Sequence, residues 1–226
     1  QDYSGFHYQA MKALFPGGSF TILGDMNQSV HPYLNSGTYD AILETFADRD
    51  PFLIRLQRTY RSTLQIAQFT RAILGGTPDS ESIQREGPLP RLVVVPEEER
   101  AEAIAREVTR MAKGGAVSIA IVCKTARESA DLHRRIGSRI DAELIEKGDN
   151  VFRSGIVIVP VYLAKGLEFD GVIIADASRD AYDHETERKA FYTACTRALH
   201  YLTLFTAGEA SRFLPPPESG LYERIG

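Results

Sequence analysis

Residues 155–176 have the sequence GIVIVPVYLAKGLEFDGVIIAD, in which two apolar runs flank a short polar loop. Neither run alternates with polar residues, and unbroken apolar runs are typical of strands buried on both faces of a sheet. Three more runs of this kind occur along the chain, at 91–95, 117–123 and 201–206. Together the five runs predict a parallel sheet.

Helical patterns separate the predicted strands. Their apolar spacing, acidic starts and terminal glycines predict helices at 62–74, 97–113, 126–136 and 185–198. A short strand is predicted at 142–145, and the three prolines at 215–217 cannot continue a helix or a central strand. The alternation predicts an α/β fold, a parallel sheet with helices on both faces, over about 51–210.

The first fifty residues differ from the rest of the chain. They predict only one helix and one buried strand, Phe20–Leu23, before a break near Asp48–Pro51. They contain two basic and six acidic residues, whereas residues 51–226 are balanced in charge. We expect residues 1–50 to be a piece of something larger that exposes an apolar sheet edge, through which the chain could self-associate.

Composition excludes several classes of protein. The chain has 226 residues, of which 43% are hydrophobic and 25% charged, so disorder is excluded. Two distant cysteines exclude a disulfide scaffold and a cysteine-rich zinc site, and no apolar run is long enough to span a bilayer. A net charge of −4 argues against a strongly basic nucleic-acid module. We predict a cytoplasmic protein with no membrane partner.

Two segments near predicted strand ends contain side chains suited to nucleotide chemistry. LGDMNQ at 23–28 delivers a carboxylate and an amide to one loop, and a glutamine can orient a water or sense a terminal phosphate. LQRTYRS at 56–62 sets an aromatic ring beside a guanidinium, which could stack on a base and neutralise a phosphate. Taken alone, the first is more simply an ordinary turn and the second a helix N-cap with a solvated arginine.

Two further segments extend the pattern. AKGLEFD at 164–170 sets Lys-Gly at a tight turn that can approach phosphate, while Glu168 could accept from a ribose hydroxyl; a charged hairpin-like turn is the alternative. ERKAFYTACTRA at 187–198 predicts a helix with Arg188 and Arg197 on polar or boundary faces, alternatively a surface helix with solvated arginines. Its apolar face includes Cys195, predicted to be a small core residue.

In this order, GDMNQS, LQRTYRS, AKGLEFD and YTACTRA resemble motifs III, IV, V and VI of the UvrD-like superfamily 1 helicases and translocases. Gln1-Asp2 resembles the end of a Walker B string, so the matches span nearly the whole chain. The resemblance implies a RecA-like, P-loop NTPase fold. Residues 1–50 would be the C-terminal part of the first RecA-like domain, and residues 51–226 would be the second motor domain.

Two features favour the HelD-like branch of this group. About ten residues between Ile145 and Ile156 leave no room for the accessory insertion of UvrD-type helicases, and PVYLA at 160–164 with YTACTRALH at 192–200 also looks HelD-like. The branch implies NTP hydrolysis coupled to movement on nucleic acid or on RNA polymerase.

The resemblance implies roles for individual residues. Gln28 would contact the γ-phosphate or the attacking water, and Arg61 and Arg197 would stabilise charge on the transferring phosphoryl group as arginine fingers. Further ATP contacts would come from Tyr60 near the adenine, Gly166 and Glu168 at phosphate and ribose, and Asp25 in the metal and water network.

Motif V departs from the family pattern, because Pro160 and Tyr162 occupy the places of a Thr and a His that touch DNA in UvrD-like proteins. The aromatic-Arg pair that follows the motif III glutamine is also absent. Stacking on single-stranded nucleic acid would then fall to Tyr33 or Tyr162, the alternative for each being a buried or edge-packed tyrosine. Strand separation is in question for the same reason.

No GxxxxGK[S/T] string occurs, although the amides and lysine of such a loop cradle the phosphates in this class. We therefore expect the chain to be the C-terminal motor portion of a longer ATP-dependent helicase or translocase, with no metal site and no ATP hydrolysis of its own. The full-length protein would use ATP and Mg²⁺, the missing N-terminal motor domain, and single-stranded DNA and/or RNA polymerase.

Three alternatives stay open at this point. One is a HelD-like factor that remodels RNA polymerase without strand separation, and another is a non-enzymatic platform for the polymerase. The third, an unrelated nucleotide-binding α/β enzyme, would need its own phosphate loop.

Overall fold

The computed structural model describes residues 3–28, 38–54, 61–76, 85–148 and 155–226. Its helices are α1 (Gly5–Leu14), α2 (Tyr39–Thr45), α3 (Leu64–Ile73), α4 (Glu97–Lys113), α5 (Ala126–Ile136), α6 (Val161–Ala164) and α7 (Arg188–Cys195). Its strands are β1 (Arg91–Val94), β2 (Ser118–Cys123), β3 (Ala142–Leu144), β4 (Gly155–Pro160), β5 (Phe169–Ile174), β6 (Ala198–Thr206) and β7 (Glu223–Ile225).

The seven strands form one parallel sheet in the order β3-β4-β2-β5-β6-β1-β7. At its centre, Ala120 of β2 lies between Val157 of β4 and Val172 of β5. The expected α/β fold with a parallel sheet is confirmed, and the apolar runs that predicted it are the central strands.

Helices cover both faces of the sheet. On one face α3, α6 and α7 pack against side chains such as Val122, Val159 and Leu204. On the other face α4 and α5 pack against Ile121, Ile158 and Phe205. Unbroken apolar strands are required here because successive side chains point to opposite faces, and each face has its own core.

The ends of α4 and α5 follow from local chemistry. Helix α4 begins with three glutamates, whose negative charges complement the helix dipole, and it ends before Gly114. Helix α5 is capped by Thr125, whose side chain accepts from the Glu128 amide at 3.2 Å. It ends at Gly137, where φ is +53°. Both predicted spans are confirmed.

A buried ionic cluster joins α4 to β1 and β6. Glu107 is 7% exposed, and its carboxylate accepts from Arg91 at 2.7 Å, from Arg110 at 2.7 and 2.9 Å and from the Thr203 hydroxyl at 2.6 Å. Burial alone would raise the pKa of Glu107, but the hydrogen bonds from Arg110 and Thr203 and the two positive charges outweigh it and lower that pKa.

Residues 3–54 differ from what their sequence predicted. The predicted strand Phe20–Leu23 is wrong: these residues lie outside every strand and helix, and Leu23 is 83% exposed. No described strand lies beside them, so their backbone has no ladder to join. Phe20 instead packs against Phe46 with ring centroids 5.2 Å apart. The exposed apolar surface expected here exists, but on helices and extended chain rather than on a sheet edge.

Two boundaries near the end of the chain also differ. The helix predicted over 185–198 is a 3-10 turn, Glu185–Glu187, followed by α7, and Ala198 already begins β6. The strand β7 was not predicted, because the prolines before it suggested an irregular tail. It is an edge strand paired with β1, a position that tolerates proline nearby.

Candidate functional site

Five of the side chains singled out from the sequence meet at the amino-terminal ends of β5 and β6: Asp25, Gln28, Arg61, Glu168 and Arg197. Glu168 precedes the first residue of β5, and Arg197 precedes the first residue of β6. The two starts are joined by a hydrogen bond from the Phe169 amide to the Arg197 carbonyl, 3.0 Å long. Opposite them, the 3-10 turn Met26–Gln28 packs on α7.

Arg197 is the best-anchored side chain of the site. It is only 4% exposed, which corrects the expectation of a polar or boundary position. Its Nε donates to the Thr193 carbonyl at 3.0 Å, and one terminal nitrogen donates to the Leu167 carbonyl at 3.3 Å. The other terminal nitrogen donates to the Thr196 hydroxyl at 3.1 Å and to Gln28 Oε1 at 2.7 Å. The guanidinium is thereby held in one orientation.

Gln28 links Arg197 to Asp25. While Gln28 Oε1 accepts from Arg197, its Nε2 donates to Asp25 Oδ2 at 2.9 Å. The other carboxylate oxygen, Asp25 Oδ1, accepts from the Asn27 amide at 2.9 Å. The structure thus brings together Asp25, Gln28 and Arg197, which come from opposite ends of the sequence.

Arg61 and Glu168 form a second, more exposed pair at the same edge. Arg61 lies 2.8 Å from Glu168 Oε1, with side chains 73% and 36% exposed. The Thr63 amide donates to the Leu199 carbonyl at 3.2 Å, which holds the start of α3 beside the start of β6. The two expected arginines therefore share one edge, one buried and one solvated.

The electrostatics of the site are those of two nearby guanidinium groups. Burial lowers the pKa of Arg197; Glu168 raises that pKa and the neighbouring positive charge of Arg61 lowers it further. An arginine nonetheless keeps its charge at any physiological pH. Burial, assisted by the Asp25 carboxylate, raises the pKa of Tyr192 to about 12, so that this phenol is neutral at pH 7. The site can attract and orient an anion.

The remaining predicted site residues are placed as follows. Gly166 lies exposed in the turn after α6. Its φ of +84° is a backbone conformation that favours glycine. Tyr162 lies in α6, directly after β4, and is 41% exposed, so it is not buried in the core. Tyr33 and Tyr60 lie outside the described residues. Cys195 is fully buried in the core beside α3, as predicted.

Sequence reasoning missed two side chains of the site, Thr196 and Tyr192. The Thr196 hydroxyl donates to the Thr193 carbonyl at 2.9 Å while it accepts from Arg197. Residues 192 and 196 are four apart, and this spacing puts them on one helix face next to the quoted arginine. The four-residue spacing was the feature of the sequence from which both side chains could have been predicted to belong to the site.

The described residues contain no group of three or more His, Cys, Asp or Glu side chains that could hold a metal ion. None of the described helices is long and apolar enough to cross a membrane. What the arrangement offers chemically is a pair of cations and an oriented amide, suited to the charge of a phosphoryl group.

The described residues form a parallel sheet with helices on both faces, with Arg61 and Arg197 beside the starts of β5 and β6. This is the architecture of a helicase C-terminal domain of the RecA-like type, as a comparison with a solved structure shows. The family model for the UvrD-like helicase C-terminal domain matches residues 155–205. The C-terminal domain of a possible DNA helicase from Lactobacillus plantarum WCFS1 is 34% identical. Its alignment covers 74% of this chain and 99% of that one, with a TM-score of 0.64. The chain belongs to the UvrD-like helicase C-terminal domain family.

More distant likenesses have lower scores. Dbp5 of S. cerevisiae, bound to RNA and ADP BeF3, is 11% identical over 77% of this chain and 44% of that chain, with a TM-score of 0.46. Arterivirus nonstructural protein 10 (helicase) with DNA is 11% identical over 61% of this chain and 35% of that chain, with a TM-score of 0.37. Neither carries an argument about this chain. No curated protein matches the sequence significantly.

Proposed function

We propose that this chain is the second motor domain of an ATP-dependent helicase or translocase of the UvrD/HelD type. Arg197 and Arg61 act on the transferring phosphoryl group of ATP bound to a phosphate loop of a first motor domain. The observation that carries the proposal is the buried Arg197 guanidinium, which is held at 2.7 Å from Gln28 across 169 residues of sequence.

A structural role alone accounts poorly for this arrangement. An arginine that only fills space at a strand start does not need a partner 169 residues away in the sequence, and burying a cation costs free energy. A site that must stabilise charge as it develops needs donors held in advance, and the four contacts of Arg197 hold them.

Each side chain then has a stated role. Arg197 and Arg61 neutralise charge on the γ-phosphoryl oxygens as the bond to the β-phosphate breaks, and Gln28 orients the attacking water. Glu168, which lies beside Arg61, accepts from the ribose hydroxyls, and Gly166 brings its exposed backbone to a phosphate. Mg²⁺ would neutralise negative charge on the phosphates when bound, and residues of the first motor domain would hold it.

The experiment is ATP hydrolysis by the full-length protein carrying Arg197→Ala or Arg197→Lys. We expect kcat to fall by about 10³-fold or more for alanine, because an arginine finger contributes about 10³ to 10⁵ in rate. Binding of a fluorescent ATP analogue should stay measurable. Arg106→Ala, at an exposed arginine of α4 with 61% side-chain exposure, is the matched control and should hydrolyse ATP normally. Unchanged hydrolysis by Arg197→Ala would overturn the proposal.

A HelD-like factor that remodels RNA polymerase is the second candidate function. The short connection from β3 to β4, Leu144 to Gly155, favours it, since it leaves no room for a large accessory domain at that place. Hydrolysis by the full-length protein should be compared with single-stranded DNA, with RNA polymerase and with neither. Stimulation by DNA supports a translocase, and stimulation only by the polymerase supports the remodelling factor.

A further inference from the structure

We propose that Asp25 is a positioning residue, which fixes the amide of Gln28 so that Gln28 Oε1 faces Arg197. The inference rests on the proposed function of the site and deepens it by giving Asp25 a role. In this role Asp25 acts through Gln28 and does not itself contact ATP or a metal ion. Its basis is the chain of hydrogen bonds from Asp25 through Gln28 to Arg197.

The partners of Gln28 admit only one orientation of its amide. A primary amide has one accepting end and one donating end, which differ little in shape. A carboxylate can only accept hydrogen bonds and a guanidinium can only donate them. With Asp25 on one side and Arg197 on the other, the oxygen of Gln28 must point to Arg197 and its nitrogen to Asp25.

The Asp25 carboxylate is itself immobilised. One of its oxygens accepts from the Asn27 amide and the other from Gln28. The backbone carbonyl of Asp25 accepts from the backbone N–H of Gln28 at 3.2 Å, and this bond closes the 3-10 turn. Both ends of the turn are thus tied to the same residue, and the glutamine side chain starts from a fixed backbone.

An asparagine at position 25 would weaken this selection and leave it to Arg197 alone. The asparagine amide can present either an oxygen or an NH₂ group to Gln28, so a larger fraction of the molecules would have the Gln28 amide turned over. In those molecules the NH₂ group of Gln28 would face the guanidinium of Arg197, donor against donor. The water-orienting oxygen would be misplaced although every catalytic side chain is still present.

The test is a double-mutant cycle in the full-length ATPase with Asp25→Asn, Gln28→Ala and the pair. We expect Asp25→Asn to lower kcat about tenfold or more with the KM for ATP unchanged, since small misplacements have effects of this size. In the Gln28→Ala background the same change should have no further effect, because Asp25 acts through Gln28. Asp141→Asn, an exposed aspartate before β3, is the charge-matched control.

Two outcomes would overturn the inference. One is normal kcat for Asp25→Asn while Arg197→Ala is inactive, which would leave the proposed function intact. The other is an equal loss from Asp25→Asn with and without Gln28, which would indicate a structural or metal-supporting role. A melting temperature for each variant identifies any loss due to unfolding, and Gln28→Ala supplies the second substitution at the same link.

Discussion

Residues 3–54 and the sheet domain, the described residues between 61 and 226, contain similar apolar side chains. These side chains are mostly exposed in the first region and mostly buried in the second. Among the described residues, 3–54 bury only two hydrophobic side chains, Tyr8 and Phe46, and contain nine of the twelve large hydrophobic residues that are exposed. The sheet domain buries complete layers on both faces. Apolar residues form a core only where neighbouring elements cover them, and residues 20–23 have no neighbour among the described strands.

The largest effect expected from this comparison concerns two phenylalanines. Phe191 is fully buried, with its ring centroid 4.7 Å from that of Tyr182, whereas Phe6 is 75% exposed. Phe191→Ala should lower the free energy of unfolding by about 3–5 kcal/mol, because it removes buried surface and leaves a cavity. Phe6→Ala should change it by less than about 0.5 kcal/mol.

Urea denaturation followed by circular dichroism measures both variants. Equal destabilisation by the two would contradict the contrast between the regions, since it would mean that Phe6 also lies in a core.

A smaller effect is expected at the buried carboxylate of the sheet domain. Glu107→Gln should cost about 2–3 kcal/mol at pH 7, because Arg91 and Arg110 lose their charged partner. In the first region, the ion pair of Lys12 and Asp48 at 2.5 Å is solvated, and Asp48→Asn should leave unfolding unaffected.

The Glu107→Gln variant also gives a pH test when it is compared with the wild type. The pKa of Glu107 is lower in the folded than in the unfolded chain, so its stabilisation is present above the ordinary glutamate pKa of about 4.3. It is lost as the pH falls through the lowered pKa. Melting temperatures between pH 7 and 3 should therefore fall less steeply for Glu107→Gln than for the wild type; parallel curves would contradict this sign.

The smallest effect concerns two helix caps. Thr63 and Thr38 both accept from a backbone amide three residues on, at 3.4 Å in α3 and 3.2 Å in α2. Thr63→Ala should lower the melting temperature, at a cost of about 1 kcal/mol, because α3 is packed on the sheet. Helix α2 buries no side chain, so Thr38→Ala should only speed amide exchange within α2. A drop in melting temperature for Thr38→Ala would contradict the comparison.

Sequence patterns predicted the sheet domain well because its signals are local. Acidic starts and terminal glycines set α4 and α5 to the residue, and unbroken apolar runs predicted the central strands. The errors came where the outcome depends on distant partners. Residues 20–23 have the composition of a strand but no strand beside them, and β7 exists only because β1 offers an open edge.

The candidate site shows the same division. The motif strings predicted that Gln28, Arg61 and Arg197 belong to one site, but their spacing in the sequence could not predict which of them are in contact. The contact of Gln28 with Arg197 spans most of the sequence, and the burial of Arg197 depends on the turn at 164–169. The division into two domains, the ATP contacts and the cytoplasmic location stay predictions.

The two strands at the edges of the sheet have a consequence for the protein in a crowded cell. Strands β3 and β7 have three residues each and include Glu143, Glu223 and Arg224. Short, charged edges pair poorly with a strand from another molecule. The run Gly155–Val159, which has the character of a cross-β segment, lies between two neighbouring strands. Fibril formation by the sheet domain should therefore require prior unfolding, and its rate should follow the concentration of unfolded chains rather than that of folded ones.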